Sequence, residues 1–187
     1  PAHKDGPVSR RMICGGMNDI SLSILQETPN DAQPIERLHE RTFGPGRYAL
    51  AAYRLREHAG HQLDLSFVAR IGTLMVGSVR LQPICIGDTK ALILGPLTVE
   101  PPFRSHGIGR KLIERSLEEA KAKGHRLVML VGDAAYYIRV GFKPVEPRQR
   151  VTMPGPVDYE RVLIHELVEG AFEGVSGKVR LDWDAAR

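Results

Sequence analysis

Residues 94–109 read Leu94-Gly95-Pro96-Leu97-Thr98-Val99-Glu100-Pro101-Pro102-Phe103-Arg104-Ser105-His106-Gly107-Ile108-Gly109: an apolar strand, a tight loop and the first turn of a helix. Gly95-Pro96 interrupts the strand. Proline donates no ladder hydrogen bond, so a bulge or a splay is expected there. Gly107 and Gly109 let the main chain approach a ligand without a Cβ in the way. The first N–H groups of a helix have no partner within it and point outward together. With the helix dipole they form an anion site, of a size suited to a pyrophosphate. Arg104, Arg110 and Lys111 can add positive charge. Two other phosphate-binding patterns fail. A Walker A loop needs Gly-Lys followed by Ser or Thr, whereas Gly109 is followed by Arg110 and Lys111-Leu112. A dinucleotide fingerprint needs a third glycine where Leu112 stands. On glycine spacing alone, a plain turn into a helix accounts for the stretch equally well.

Downstream, Ile108, Leu112, Ile113, Leu117 and Ala120 recur at helical spacing, and Gly124 supplies a stop. Leu127 to Val131 is continuously apolar, as in a buried central strand. A short helix from Ala134 to Arg139 ending at Gly141 follows, then a strand near Tyr159 to Val168. Upstream, Leu74 to Ile86 and Ala91 to Val99 form a hairpin about Gly87-Asp88, preceded by the alternating run Leu63, Leu65, Phe67. Earlier still, Ile20, Leu22 and Ile24 alternate as a strand. Asp31 is a helix N-cap with Pro34 in the first turn, and Ile35, Leu38 and Thr42 share a helix face. A second helix is expected from Tyr48 to Glu57. The expected organisation is an N-terminal extension (1–17), one domain (18–168) and a glycine-rich C-terminal tail (169–187) wrapped on its surface.

Composition narrows the classes. The 187 residues are 42% apolar and 26% charged, which suits one soluble globular domain. No stretch approaches the roughly 20 apolar residues that span a bilayer. Arg10-Arg11 is not followed by the apolar run of an export signal. Cys14 and Cys85 make no disulfide framework, so a reducing cytoplasm is the expected location. The net charge of +4 is spread without a run of five like charges, which argues against nucleic acid and suits a polyanionic small ligand.

The segment Leu97-Thr98-Val99 to Leu112 resembles the acyl-CoA-binding motif of the GNAT superfamily of N-acyltransferases, Q/R-x-x-G-x-G/A. Arg104, Gly107 and Gly109 occupy its defining positions. Gly132-Asp133-Ala134-Ala135-Tyr136-Tyr137-Ile138-Arg139-Val140-Gly141-Phe142 resembles the second signature, a tyrosine four residues before Gly-Phe. The likeness covers roughly residues 20 to 168. Phe43-Gly44-Pro45-Gly46-Arg47 and Leu94-Gly95-Pro96-Leu97 look like one bacterial branch of predicted acetyltransferases. The resemblance implies an α/β three-layer domain whose central sheet is mixed, mostly antiparallel and splayed at the cofactor site. It also implies transfer of an acyl group, foremost acetyl, from CoA to a primary amine by direct attack in a ternary complex, with no metal. By that resemblance Leu97, Thr98 and Val99 bind the pantetheine arm through their main chain. Arg104, Ser105, His106, Gly107, Ile108, Gly109 and Arg110 hold the phosphates, and Tyr137 is the general acid; Tyr136 is expected to pack. A homodimer and a monomer both remain open, as does the acceptor.

One departure from the family pattern favours a rival reading as a non-catalytic acyl-CoA-binding regulatory module. Many members carry a Glu on the strand before the glycine loop, whereas this strand reads Ala91-Leu92-Ile93-Leu94-Gly95-Pro96. Glu100 is expected to be solvated, Glu57 and His58 read as a solvated helix end, and no base is assigned. His58 and His61 are too few for a metal site, His165 reads as structural, and nothing around Cys85 suggests a nucleophile.

Overall fold

The computed structural model describes residues 21–44 and 61–181. The expected extension with Cys14, strand residue Ile20, the helix from Tyr48 to Glu57 and His58 lie outside the described residues. Among those described, nine strands form a sheet: β1 Leu22–Gln26, β2 Phe67–Ile71, β3 Leu74–Ile86, β4 Thr89–Val99, β5 Leu127–Val131, β6 Lys143–Pro144, β7 Val151–Thr152, β8 Val162–Glu166 and β9 Gly177–Leu181. The helices are α1 Ala32–Phe43, α2 Ile108–Ala122 and α3 Ala134–Tyr137. The main path runs β1-β2-β3-β4-β5-β8-β6, and among the described strands its only parallel neighbours are β4 and β5.

Side-chain alternation separates the two faces of this sheet. Phe67, Ala69, Val79, Leu81 and Leu94 point to one face, where Ile108, Leu112, Ile113 and Leu117 of α2 cover them. Val68 and Met75 point to the other and meet Ile35 and Leu38 of α1. Complete burial of each of the larger of these side chains stabilises the fold by roughly 1.5–3 kcal/mol. The result is the expected three-layer arrangement.

Leu92 pairs with Val128 and Ile93 with Met129, and there the parallel ladder between β4 and β5 ends. On its other side β4 stays paired with β3 as far as Gly77↔Val99. Val79 pairs with Leu97 and Leu81 with Leu94, so two residues of β4, Gly95 and Pro96, stand opposite Arg80 alone. This is the bulge expected from Gly-Pro, and it lies where β4 leaves β5.

Three local expectations need correction. Asp31 does not cap α1 through its own side chain. Its carboxylate instead accepts from the main-chain N–H and hydroxyl of Thr28, at 2.9 and 2.8 Å, and from Arg70 at 2.6 Å. The strand near Tyr159 to Val168 is shorter, because Tyr159–Arg161 is a 3₁₀ turn led by Asp158, whose side chain accepts from the Glu160 N–H. Nor does the C-terminal segment merely wrap the surface. β9 pairs antiparallel with β3 at Ile84–Ile86, and Phe172, Val175 and Val179 are buried against Ile84, Ile93 and Met129. Arg150 fastens this segment by donating to the carbonyls of Val175 and Phe172. The flanking glycines masked the Val179/Leu181 alternation in the sequence.

Candidate active site

A cavity of about 750 Å³ opens at the N-terminus of α2. Its described lining comes from Leu97 and Val99 of β4, from Phe103, Arg104, Ser105, Gly107, Ile108, Gly109 and Arg110 in the loop and α2, from Tyr136, Arg139 and Val140 around α3, and from Thr42 and Phe43 of α1. Among the described residues this lining holds three arginines and no carboxylate, so this part of the cavity favours an anion.

The loop geometry explains the glycines. Gly107 adopts φ +75°, a left-handed conformation, and a Cβ there would meet nothing within 4 Å. It therefore turns the chain into α2 and leaves open space in front of the helix. The first main-chain bond of α2 runs from the Lys111 N–H to the Gly107 carbonyl at 3.0 Å, so the N–H groups of Ile108, Gly109 and Arg110 precede the helical ladder. Gly109 answers a different need, because a Cβ there would stand 2.5 Å from the Tyr136 hydroxyl.

Not every expected residue reaches this cavity. His106, Thr98 and Tyr137, the expected general acid, are absent from its lining. The His106 ring folds back on its own loop, its Nδ1 2.9 Å from the Arg104 carbonyl and 3.2 Å from that of Phe103. Thr98 turns to the α1 face, 1% exposed, and its Oγ1 has no hydrogen-bond partner among the described residues. Arg104 lies across the strand end with Nε 3.3 Å from the Val99 carbonyl, and Arg110 pairs with Glu114 at 2.6 Å. Glu100, expected to be solvated, is mostly covered and receives the Arg41 guanidinium from α1.

The two tyrosines divide differently from the expectation. Tyr136, read from the sequence as packing, lines the cavity. Tyr137 stands edge-on to Phe142 with ring centroids 5.9 Å apart, and its ring covers Gly132, where a Cβ would approach to 2.4 Å. Burial, with Tyr136 and Asp133 adding to it and Arg161 opposing, pushes the Tyr137 phenol up to about 12. The hydroxyl is thus a persistent hydrogen-bond donor. His165 supports this corner, since its Nδ1 lies 2.8 Å from the Gly141 carbonyl.

Sequence reasoning missed Thr42, Phe43, Phe103, Tyr136, Arg139 and Val140. Arg139 and Val140 lie within the second signature itself, so the motif was a usable signal for them. Thr42 and Phe43 come from a distant helix that only the fold brings near. The described residues contain no group of three or more His, Cys, Asp or Glu side chains able to hold a metal, and no described helix is long and apolar enough to cross a membrane.

Comparisons with known proteins agree with this geometry. A family model described as an acetyltransferase (GNAT) domain matches residues 62–144. Over 159 residues the chain is 30% identical to the uncharacterized N-acetyltransferase YhbS of Escherichia coli strain K12, covering 83% of this chain and 93% of that protein. The crystal structure of the YhbS protein from Escherichia coli in complex with CoA matches with a TM-score of 0.74 at 26% identity, over 99% of this chain and 97% of that one. A GNAT family acetyltransferase from Brucella melitensis in complex with acetyl-CoA matches with a TM-score of 0.55 at 28% identity, over 82% and 99% of the two chains.

Proposed function

This chain belongs to the GNAT family of N-acetyltransferases, and from that premise we propose that it moves acetyl from acetyl-CoA to a primary amine by direct attack in a ternary complex. The observation that carries the reading is the anion-favouring cavity at the N-terminus of α2, beside the point where β4 parts from β5. Its support from outside the chain is the CoA and acetyl-CoA held by the two structural relatives.

In this reading the N–H groups of Ile108, Gly109 and Arg110 receive the pyrophosphate, with Arg104, Arg110 and Arg139 adding charge. Ser105, Gly107 and His106 shape the loop around it. Leu97, Thr98 and Val99 offer main-chain groups on the edge of β4 that has no β5 partner, and these hold the pantetheine arm. One N–H there stabilises negative charge growing on the thioester oxygen. Acetyl-CoA itself supplies the activated thioester. Tyr137 donates a hydrogen bond to the departing sulfur. Full proton transfer from a phenol at about 12 to a thiolate of pKa about 8.5 runs uphill by roughly 3.5 units, so the hydrogen bond carries the role.

The apolar strand Ala91 to Leu94 is what favours the rival regulatory module, and one experiment separates the two. Thermal melts with CoA, ATP and NAD come first. At 100 times its dissociation constant, CoA is expected to add about 2.7 kcal/mol of stability. A panel of primary amines with acetyl-CoA, followed by free thiol release, comes second. A shift with ATP or NAD and none with CoA ends the acyltransfer reading; a CoA shift without turnover of any amine favours the regulatory module.

A further inference from the structure

The gap between β4 and β5 has no carboxylate on β4, yet a charged cluster sits one strand away. Val79 and Leu81 of β3 point under α2, so Arg80 between them points to the α1 face. Ser78 shares that face, its hydroxyl 3.4 Å from His39 of α1, and so does its β4 partner Thr98. Arg80 is the one residue opposite the Gly95-Pro96 bulge. Neighbouring strands lie about 4.8 Å apart, which puts its backbone next to the main chain proposed to hold the thioester.

Arg80 grips Glu27 with Nη2 at 2.6 Å from Oε1 and Nε at 3.0 Å from Oε2. Glu27 follows β1 and is tied down by its own N–H, which donates to the Ser66 carbonyl at 2.8 Å. On the other side of the carboxylate, His61 Nε2 lies 2.8 Å from Oε1. The Gln62 N–H donates to the Leu81 carbonyl at 3.1 Å and locks this segment against β3.

We propose that His61 is the proton acceptor for the incoming amine, with Glu27 as the positioning residue that fixes its tautomer and Arg80 as the anchor of Glu27. The inference rests on the acyltransfer reading. Burial pushes the Glu27 carboxyl up, but the hydrogen bonds from His61 and Arg80 outweigh it and hold the group below its ordinary range. An ionised carboxylate only accepts, so His61 donates from Nε2, and in the neutral imidazole the lone pair resides on Nδ1. Among the described residues, the ring's hydrogen bonding is through Nε2 alone. The side chain of Glu27 is 1% exposed and that of His61 is 23% exposed, so the imidazole is the solvent-side member of the pair.

Charge balance argues that His61 is more than a structural partner. Arg80 already neutralises Glu27 and contacts both carboxylate oxygens. The imidazole is surplus to that compensation, and its Nδ1 faces no hydrogen-bond partner among the described residues. In this proposal the amine approaches from the α1 side, where the cluster lies, because α2 covers the opposite face. In the step, the amine nitrogen bonds to the carbonyl carbon as the carbon–sulfur bond breaks. The proton lost by nitrogen passes to His61 Nδ1, directly or through one water. The departing thiolate takes a proton from solvent and His61 returns its proton to solvent, leaving free CoA and the amide.

The test uses the full chain with ¹⁵N-labelled histidines, followed by NMR free, with saturating CoA and with saturating acetyl-CoA; the His61→Gln variant assigns the signals. The expected result is an Nε2–H tautomer for His61 and ring signals that differ between the CoA and acetyl-CoA complexes, which differ only by the acetyl group. Thiol release should fall at least a hundredfold in His61→Gln with an unchanged CoA dissociation constant, and added imidazole should restore part of the rate to His61→Ala. Ring signals identical in the two complexes overturn the inference, whether or not any amine in the panel is turned over. Normal turnover in His61→Gln overturns it as well. A chain that binds no CoA fails the acyltransfer reading itself, a result the same titration reports separately.

Discussion

Strand β4 is two different structures along one chain. From Leu92 to Ile93 it is paired on both sides, and its side chains are fully buried. From Leu97 to Val99 the β3 ladder continues, but β5 has gone and one edge of the main chain has no β5 partner. The first half is closed by apolar packing on both faces. The second keeps that support on one edge and offers its main-chain donors and acceptors on the other. A rigid strand with a free edge is a good platform for a ligand, because the groups it presents are held in place before anything binds.

The largest effect is expected in the paired half. Leu92→Ala removes a fully buried side chain from the core under α2 and should cost about 2–5 kcal/mol of stability in urea melts. CoA affinity measured on the remaining folded protein should be nearly unchanged. A large loss of affinity with little loss of stability would show that the two halves are not separable.

Tyr137 tests the far side of the gap. Tyr137→Phe keeps the ring over Gly132 and beside Phe142 and removes only the hydroxyl. Turnover should fall by about a hundredfold with the acyl-CoA dissociation constant unchanged, if the hydroxyl works mainly in the transition state. The pH dependence gives a second readout. A phenol pushed up to about 12 contributes stability fully present below its unfolded value near 10, and loses it as pH rises through about 12. Tyr137→Phe should remove that alkaline loss. Normal turnover would leave Tyr137 as packing, with Tyr136 the better-placed phenol.

Much of this was legible in the sequence because it is contiguous. The strand, the Gly-Pro bulge, the glycine loop and α2 follow one another within 94–122, so local rules reach them. The tyrosine pair was legible as a motif but not as an arrangement: which ring faces the cavity depends on Gly109 and Gly132, two positions on different elements. The Glu27, His61 and Arg80 cluster was not legible at all. Three isolated polar residues in separate segments meet only through strand pairing, and no spacing in the chain announces that. The closing strand β9 was hidden for the opposite reason, since its local glycines suggest a loop and tertiary pairing overrides them.

Two glycines with the same backbone sharpen the comparison further. Gly107 and Gly124 flank α2, adopt φ +75° and +84°, and have open space at the Cβ position. Gly107→Ala and Gly124→Ala should each cost about 1–2 kcal/mol from left-handed strain alone. Only Gly107 lines the cavity, so only its variant should also lose CoA affinity by calorimetry. Equal affinity in both would make Gly107 a turn and nothing more.

The smallest effect concerns Thr98, in the parted half. Its hydroxyl is buried on the α1 face beside Ser78 and has no hydrogen-bond partner among the described residues. A buried hydroxyl left unpaired costs stability, so Thr98→Val should stabilise the ligand-free chain by about 1 kcal/mol. In Leu92→Ala the free and ligand-bound proteins should suffer alike; here they should diverge. If the hydroxyl is completed only when acetyl-CoA is in place, the variant gains less from saturating ligand than the native chain does, and the stabilisation shrinks or reverses. Urea melts of both proteins, free and with acetyl-CoA, measure that difference directly. A variant destabilised even without ligand would mean that Thr98 is part of the closed structure of β4. The boundary between the two halves would then move from the bulge to Val99.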